Sequence, residues 1–147
     1  AEATFGSKLS PWQQNAWDTV KSLARPADML TPEQNATLLR AMKQETQTHL
    51  RSMGVPADGF VELWRGIKLS SSESLPMGKI LYEGNAIESW TTVQATAESF
   101  GSGKNIVRAF VPVDRILCTA RTGLGCLSES EVVILGGISP IEAEVIR

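Results

Sequence analysis

The sequence predicts an α+β domain in which N-terminal helices precede a mainly antiparallel β-sheet. In residues 1–59 the apolar side chains recur with the 3.6-residue period of an amphipathic helix. From residue 60 onward they alternate with a period of about two, in short runs separated by Gly, Ser and Pro. The length of 147 residues suits one domain whose core needs neither disulfides nor a structural metal. We therefore expect a single domain over residues 1–147, with a helical part at 1–59 and a β-rich part at 60–147.

Two segments of the helical part carry the same helix-start signal. Residues 10–13 (Ser-Pro-Trp-Gln) and 31–34 (Thr-Pro-Glu-Gln) each place a hydroxyl before a proline and a glutamine three positions after that hydroxyl. This is the pattern of a capping box, in which the hydroxyl caps the first turn and the glutamine reaches back. It predicts one helix to about Ala24 and a second to about Met53, where a Gly-Val-Pro segment ends it.

The β-rich part is divided by turn residues into seven predicted strands and one short helix. Val, Ile, Trp and Thr recur in these runs, as is typical of strands. The strands are expected near residues 60–68, 79–83, 87–92, 105–112, 115–120, 130–136 and 141–146, and the helix near residues 94–101.

Composition excludes several classes of function. The 14 Lys and Arg residues are balanced by 16 Asp and Glu and form no basic arm, so nucleic acid is not an expected partner. No apolar run approaches the roughly 18 residues that indicate a membrane span, and residues 1–10 lack the pattern of a signal peptide. Two cysteines and one histidine do not supply the usual zinc ligands. We expect a soluble protein that uses no metal.

Three positions break the predicted strand patterns. In the first strand, alternation puts Arg65 on one face with Val61, Leu63 and Ile67. A guanidinium among aliphatic side chains needs a carboxylate or phosphate partner, or an exit to water at the strand edge. Arg65 is therefore either half of a structural ion pair or part of an anion-binding site. Gly66, which follows it, marks a bulge or a close approach to the backbone.

The second and third breaks are a pair of hydroxyls and a pair of carboxylates. Ser89 and Thr91 share one strand face, a small polar patch that is also common in purely structural strands. Glu129 and Glu131 stand two residues apart at the start of an apolar strand, so their Cα atoms are expected roughly 6.5 Å apart on one face. Such a pair either holds a shared substrate or is simply a solvated strand end.

Taken in chain order, the Arg, Ser-x-Thr and Glu-x-Glu motifs resemble the arginine–serine–glutamate class of mono-ADP-ribosyltransferases. The likeness runs from about Phe60 to Leu135 and is closest to toxin-like and phage-encoded domains of that family. The middle motif here reads Ser-Trp-Thr, where the family has Ser-Thr-Ser. The loop before the glutamates offers Leu124 and Leu127 where many relatives carry an aromatic residue. The fold that the resemblance implies is a split antiparallel sandwich behind N-terminal helices.

The resemblance also implies a role for each motif residue. Glu131 would orient the ribose of NAD⁺ and stabilise the positive charge of the transition state, and Glu129 would hold the guanidinium of an acceptor arginine. Arg65 would pair with the pyrophosphate or ribose side of NAD⁺. Gly66 would offer its backbone to the nicotinamide carboxamide. Ser89 and Thr91 would brace the nicotinamide ribose and the strand.

The implied activity is that of an NAD⁺–protein-arginine ADP-ribosyltransferase, a pentosyltransferase that uses NAD⁺ as substrate and needs no metal. A toxin or effector of this kind acts in the cytoplasm of a target cell and can have an immunity or antitoxin protein as a partner. Three alternatives stay open. A retaining glycosidase also uses two carboxylates, but it would leave Arg65 and the hydroxyl pair unexplained. An NAD⁺ glycohydrolase would use the same site with water as acceptor, and a non-catalytic structural or binding module would not bind NAD⁺.

Overall fold

The computed structural model describes Asn15 and residues 30–70, 72–123, 127–136 and 139–147. Apart from Asn15, which is helical, the first predicted helix lies outside the described residues, as does its capping sequence at residues 10–13. The second predicted helix is present as α1, Pro32–Ser52. Its capping box forms as predicted: the Thr31 hydroxyl accepts from the Gln34 amide at 3.1 Å, and the Gln34 side chain accepts from the Thr31 amide at 2.8 Å. The chain leaves the helix through Gly54, whose φ is +84°.

All seven predicted strands and the short helix are present, and their ends differ from the prediction by at most two residues, as at 60–68 against Phe60–Gly66. In chain order the elements are β1 (Phe60–Gly66), β2 (Gly78–Tyr82), β3 (Ile87–Thr91), α2 (Gln94–Phe100), β4 (Ile106–Pro112), β5 (Ile116–Thr119), β6 (Glu131–Leu135) and β7 (Ile141–Val145). Two short 3₁₀ turns, Val113–Arg115 and Leu127–Glu129, precede β5 and β6.

The strands form one antiparallel sheet in the order β2-β7-β4-β1-β3-β6-β5. The sheet is not closed, because the edge strands β2 and β5 do not pair with each other in the described residues. Strand β1 pairs with β4 along its whole length, from Phe60↔Pro112 to Gly66↔Ile106. It joins β3 only through Trp64↔Thr91. The sheet is therefore nearly divided between β1 and β3 into a four-stranded and a three-stranded half.

Two apolar clusters stabilise this arrangement. The first collects buried side chains from both halves of the sheet, among them Leu63, Trp90, Val107 and Ile134, so the halves pack against each other across it. The predicted alternation in β1 is confirmed, since Val61 and Ile67 also pack on this cluster. The second cluster lies between α1 and strands β5 and β6; its members are Leu39, Met42, Ile87, Leu117, Cys118, Val133 and Leu135.

Helix α2 packs directly on the backbone of β1. A methyl group at Gly66 would overlap Ala97 O and Gly101 N, so only glycine allows the helix to approach this closely. The close approach predicted from Gly66 is therefore made by α2. This contact fixes the position of the helix at the place where β1 and β3 separate.

Candidate active-site cleft

The divide between β1 and β3 opens into a cleft of about 540 Å³, bordered by α2 and by the turn before β6. Four bulky or positively charged side chains line part of it: Trp64, Lys68, Trp90 and Phe100. The lining also includes all six residues that the sequence singled out: Arg65, Gly66, Ser89, Thr91, Glu129 and Glu131. Residues that are up to 66 positions apart in the chain, from 65 to 131, thus meet at one site.

Arg65 crosses the divide from β1 to β3. Its Nη1 donates to Ser89 O at 2.5 Å, and its Nη2 lies 3.8 Å from Glu88 Oε1. The side chain is 27% exposed, while its Nε is buried and has no hydrogen-bond partner in the part of the chain that the structure describes. The structure thus supplies a carboxylate, one of the three partners that the sequence left open for Arg65, and it leaves part of the guanidinium open to the cleft. Both interpretations of Arg65, ion pair and anion site, are compatible with this geometry.

Glu88 is the site residue that sequence reasoning missed. Its side chain is only 2% exposed, and its Oε1 accepts from Tyr82 OH at 3.0 Å and from Asn85 Nδ2 at 3.2 Å. Burial, reinforced by the neighbouring Glu88 carboxylate, raises the pKa of Tyr82 well above its ordinary value, so this hydroxyl stays protonated. The sequence does contain one signal for Glu88: the alternation of side chains along β3 places this carboxylate on the same apolar face as Trp90.

The two hydroxyls of β3 differ in their surroundings. Thr91 is buried, and its Oγ1 donates to Glu129 O at 2.7 Å and accepts from the Val93 amide at 3.1 Å. Thr91 therefore ties β3 to the turn that carries Glu129. Ser89 is exposed, and its carbonyl holds Arg65. Of the two side chains, the Ser89 hydroxyl is the more accessible to a ligand.

The prediction that Glu129 and Glu131 share a strand face is wrong. Glu129 ends the 3₁₀ turn Leu127–Glu129, and β6 begins only at Glu131. Ser130 between them has a φ of +48°, a left-handed conformation that breaks strand alternation. The turn is closed by Ser130 N donating to Leu127 O at 3.2 Å. Both glutamates still line the same cleft, one from a turn and one from the first position of β6, where Glu131 pairs with Thr91.

The loop between β5 and β6 is anchored near its start to α1 by threonine hydroxyls. Thr46, which is fully buried, shares a 2.7 Å hydrogen bond with Thr122, and Thr122 Oγ1 accepts from the Thr119 amide at 3.0 Å. The far end of the loop is held by the bond from Thr91 to Glu129 O. Both ends of the segment that carries Glu129 are therefore fixed.

We expect Thr46→Val to lower the free energy of unfolding by about 1–2 kcal/mol, because it removes one partner of a buried hydroxyl pair while keeping the volume. Urea unfolding measures the change. The matched control is Thr37→Val on the exposed side of the same helix, where the hydroxyl donates to Glu33 O and has no other partner among the described residues. Equal, small effects of the two substitutions would show that the buried pair contributes nothing to stability.

A larger and more open depression of about 960 Å³ lies on the other face of the four-stranded half, around Phe60, Leu81 and Phe110. Its Arg108 already pairs with Glu144 at 2.5 Å and lies 3.6 Å from Glu62. None of the six predicted site residues lines it. The volume of a depression alone therefore does not identify the candidate site. The smaller cleft contains the six predicted site residues.

Among the described residues, no three His, Cys, Asp or Glu side chains come close enough together to form a metal site. Nor does any described helix have the length and apolar character needed to cross a bilayer. Comparisons of the chain with models of known protein families, with curated proteins and with solved structures found no match.

Proposed function

We propose that the chain is a mono-ADP-ribosyltransferase that moves ADP-ribose from NAD⁺ to an arginine of a target protein and releases nicotinamide. One observation carries the proposal: a single cleft is lined by an arginine, two β3 hydroxyl residues and two glutamates, in the chain order of the arginine–serine–glutamate motif. The near division of the sheet at Trp64↔Thr91 is consistent with the split sandwich that the motif implies.

We assign Glu131 to the step in which the bond between nicotinamide and the ribose breaks. Loss of nicotinamide leaves positive charge on the ribose, in an oxocarbenium-like transition state. A carboxylate beside the sugar stabilises that charge as it develops, which lowers the barrier without tightening ground-state binding. Glu131 suits this role because its backbone is fixed by pairing with Thr91 and by the Ala120 amide, which donates to Glu131 O at 3.0 Å.

Arg65 is the group we assign to the anionic part of NAD⁺. A planar guanidinium presents donors in a fork that matches phosphate oxygens. The accessible part of Arg65 faces the same cleft as the two glutamates, so binding of the pyrophosphate there would set the nicotinamide ribose within reach of the carboxylates.

Glu129 is the group we assign to the acceptor. Its position on a turn beside the cleft gives an arginine from another protein a route to the reaction centre. A carboxylate there would bind the guanidinium and help to remove its proton as the new bond to the ribose forms. The transfer balances: the C–N bond to nicotinamide breaks, a C–N bond to the guanidinium forms, and one proton is released.

The proposal is tested with the purified protein and NAD⁺ in the presence and absence of a small guanidine acceptor such as agmatine. We expect nicotinamide release together with ADP-ribosylated agmatine, both measured by chromatography and mass spectrometry. Nicotinamide and free ADP-ribose without the agmatine adduct would indicate a glycohydrolase. Intact NAD⁺ under both conditions, with no binding in calorimetry, would contradict the proposal and favour a non-catalytic module.

A substitution at Arg65 separates the ligand-binding role from a purely structural one. We expect Arg65→Lys to weaken NAD⁺ binding about tenfold while changing the melting temperature little, because lysine keeps the charge beside Glu88 but loses the fork. Calorimetry gives the affinity, and differential scanning fluorimetry gives the melting temperature. A melting temperature lowered by many degrees with unchanged NAD⁺ affinity would make Arg65 a structural ion-pair residue only.

A further inference from the structure

A buried carboxylate lies directly behind the candidate cleft. Glu88 projects from β3 on the same side as Trp90, the residue of the first core cluster that also lines the cleft. A charge in such a place is costly unless positive charge or hydrogen-bond donors compensate it. Two donors, Tyr82 OH and Asn85 Nδ2, and one cation, Arg65, converge on a single oxygen, Glu88 Oε1.

The contact between Glu88 and Arg65 is not a closed ion pair. Nη2 and Oε1 are 3.8 Å apart, which is too long for a hydrogen bond. Glu88 Oε2 has no partner among the described residues, and neither has Arg65 Nε. A salt bridge that only stabilised the fold would be expected to use the two parallel bonds that a guanidinium and a carboxylate can form. Here the carboxylate attracts the Nη2 edge of the guanidinium without a hydrogen bond, while Nη1 donates to Ser89 O.

The surroundings hold Glu88 itself in place. The Tyr82 ring packs edge-on against Trp90 with centroids 5.5 Å apart, and its hydroxyl bonds the carboxylate. Gly84 lets the β2–β3 loop run close by, since a Cβ at that position would lie 2.5 Å from Glu88 Oε2. The carboxylate is therefore a rigid charge beside the long side chain of Arg65, whose Nη1 is held separately by Ser89 O.

We infer that Glu88 is a positioning residue for NAD⁺ binding, which it supports by fixing the guanidinium of Arg65 beside the cleft through charge attraction. The inference rests on the proposed function. Fixing a long side chain before the ligand arrives removes that ordering cost from the binding step. Loss of the carboxylate therefore weakens NAD⁺ binding without changing the bond-breaking step, which belongs to Glu131.

The main test is Glu88→Gln, which keeps the shape and one acceptor oxygen for Tyr82 and Asn85 but removes the charge that faces Arg65. We expect the KM and Kd for NAD⁺ to rise about tenfold while kcat at saturating NAD⁺ changes less than threefold. The NMR signal of the Arg65 Nε–H group should be resolved in the wild type and averaged in the variant. The matched control is Glu144→Gln, which breaks the ion pair with Arg108 on the opposite sheet face and should leave KM, Kd and kcat unchanged.

Glu88→Asp supplies a second variant if glutamine prevents folding, because it keeps the charge and withdraws it from Arg65 by one methylene. It should also raise KM with kcat preserved. A wild type that binds NAD⁺ while Glu88 variants show unchanged KM, Kd and Arg65 signal would overturn this inference and leave the proposed function standing. A wild type that does not bind NAD⁺ would overturn the proposed function first and this inference with it.

Discussion

Replacing Glu131 by glutamine is expected to reduce kcat for nicotinamide release by about 10²–10³-fold, which corresponds to roughly 3–4 kcal/mol of transition-state stabilisation. The neutral amide has nearly the same shape as the carboxylate, so the fold and the affinity for NAD⁺ should change little. The positive charge on the ribose develops only as nicotinamide departs, and an amide cannot stabilise it. Nicotinamide release at saturating NAD⁺ measures kcat, and calorimetry measures the affinity.

The control for this variant is Glu142→Gln on β7, an exposed glutamate that lines only the larger depression. It changes the net charge by the same amount and should keep wild-type kcat. If Glu131→Gln also retains near wild-type turnover, Glu131 does not stabilise the transition state and the proposed mechanism is wrong.

Replacing Glu129 by glutamine is expected to separate two activities. Transfer to a guanidine acceptor should fall by about 10²-fold or more, the usual loss when a positioned general base is removed. Slow release of nicotinamide to water should persist, because water does not need a carboxylate to bind a cation. The two rates are measured in one reaction as ADP-ribosylated agmatine and total nicotinamide.

Serine at position 128, next to Glu129 on the same 3₁₀ turn, provides a nearby control as Ser128→Ala. It tests whether any change in the turn impairs transfer. An equal fall of both activities in Glu129→Gln would mean that this residue acts on NAD⁺ itself. Unchanged transfer would mean that Glu129 does not hold the guanidine acceptor.

Local chemistry explains how much of the fold could be predicted. The Thr31–Gln34 capping box needs only two side chains and two backbone amides within one turn, so the sequence alone identifies it. The positions of the strands could be predicted because apolar side chains alternate along them, which occurs where one face of the sheet is buried and the other is less buried. The strand order, with β1 central and β7 inserted between β2 and β4, depends on pairings between distant segments, and no local signal determines it.

The candidate site was predicted as a set of residues but not in its geometry. Alternation suggested that the two glutamates share a strand face, whereas the left-handed Ser130 places Glu129 on a turn. At Gly66 the sequence predicts either a bulge or a close approach to the backbone, but nothing in it specifies helix α2 as the neighbour. The sequence does not identify Glu88, because its pairing with Arg65 depends on β1 and β3 being adjacent in the sheet.

Transfer of ADP-ribose to protein arginine can be detected by incubating the protein with labelled NAD⁺ and a bacterial or host-cell lysate and locating the label by mass spectrometry. We expect ADP-ribose on arginine side chains of a small set of proteins, together with stoichiometric nicotinamide. The same reaction with Glu131→Gln should give no labelled arginine. NAD⁺ that is consumed without labelling any protein, label on a group other than arginine, or NAD⁺ that remains intact would contradict the proposed transfer.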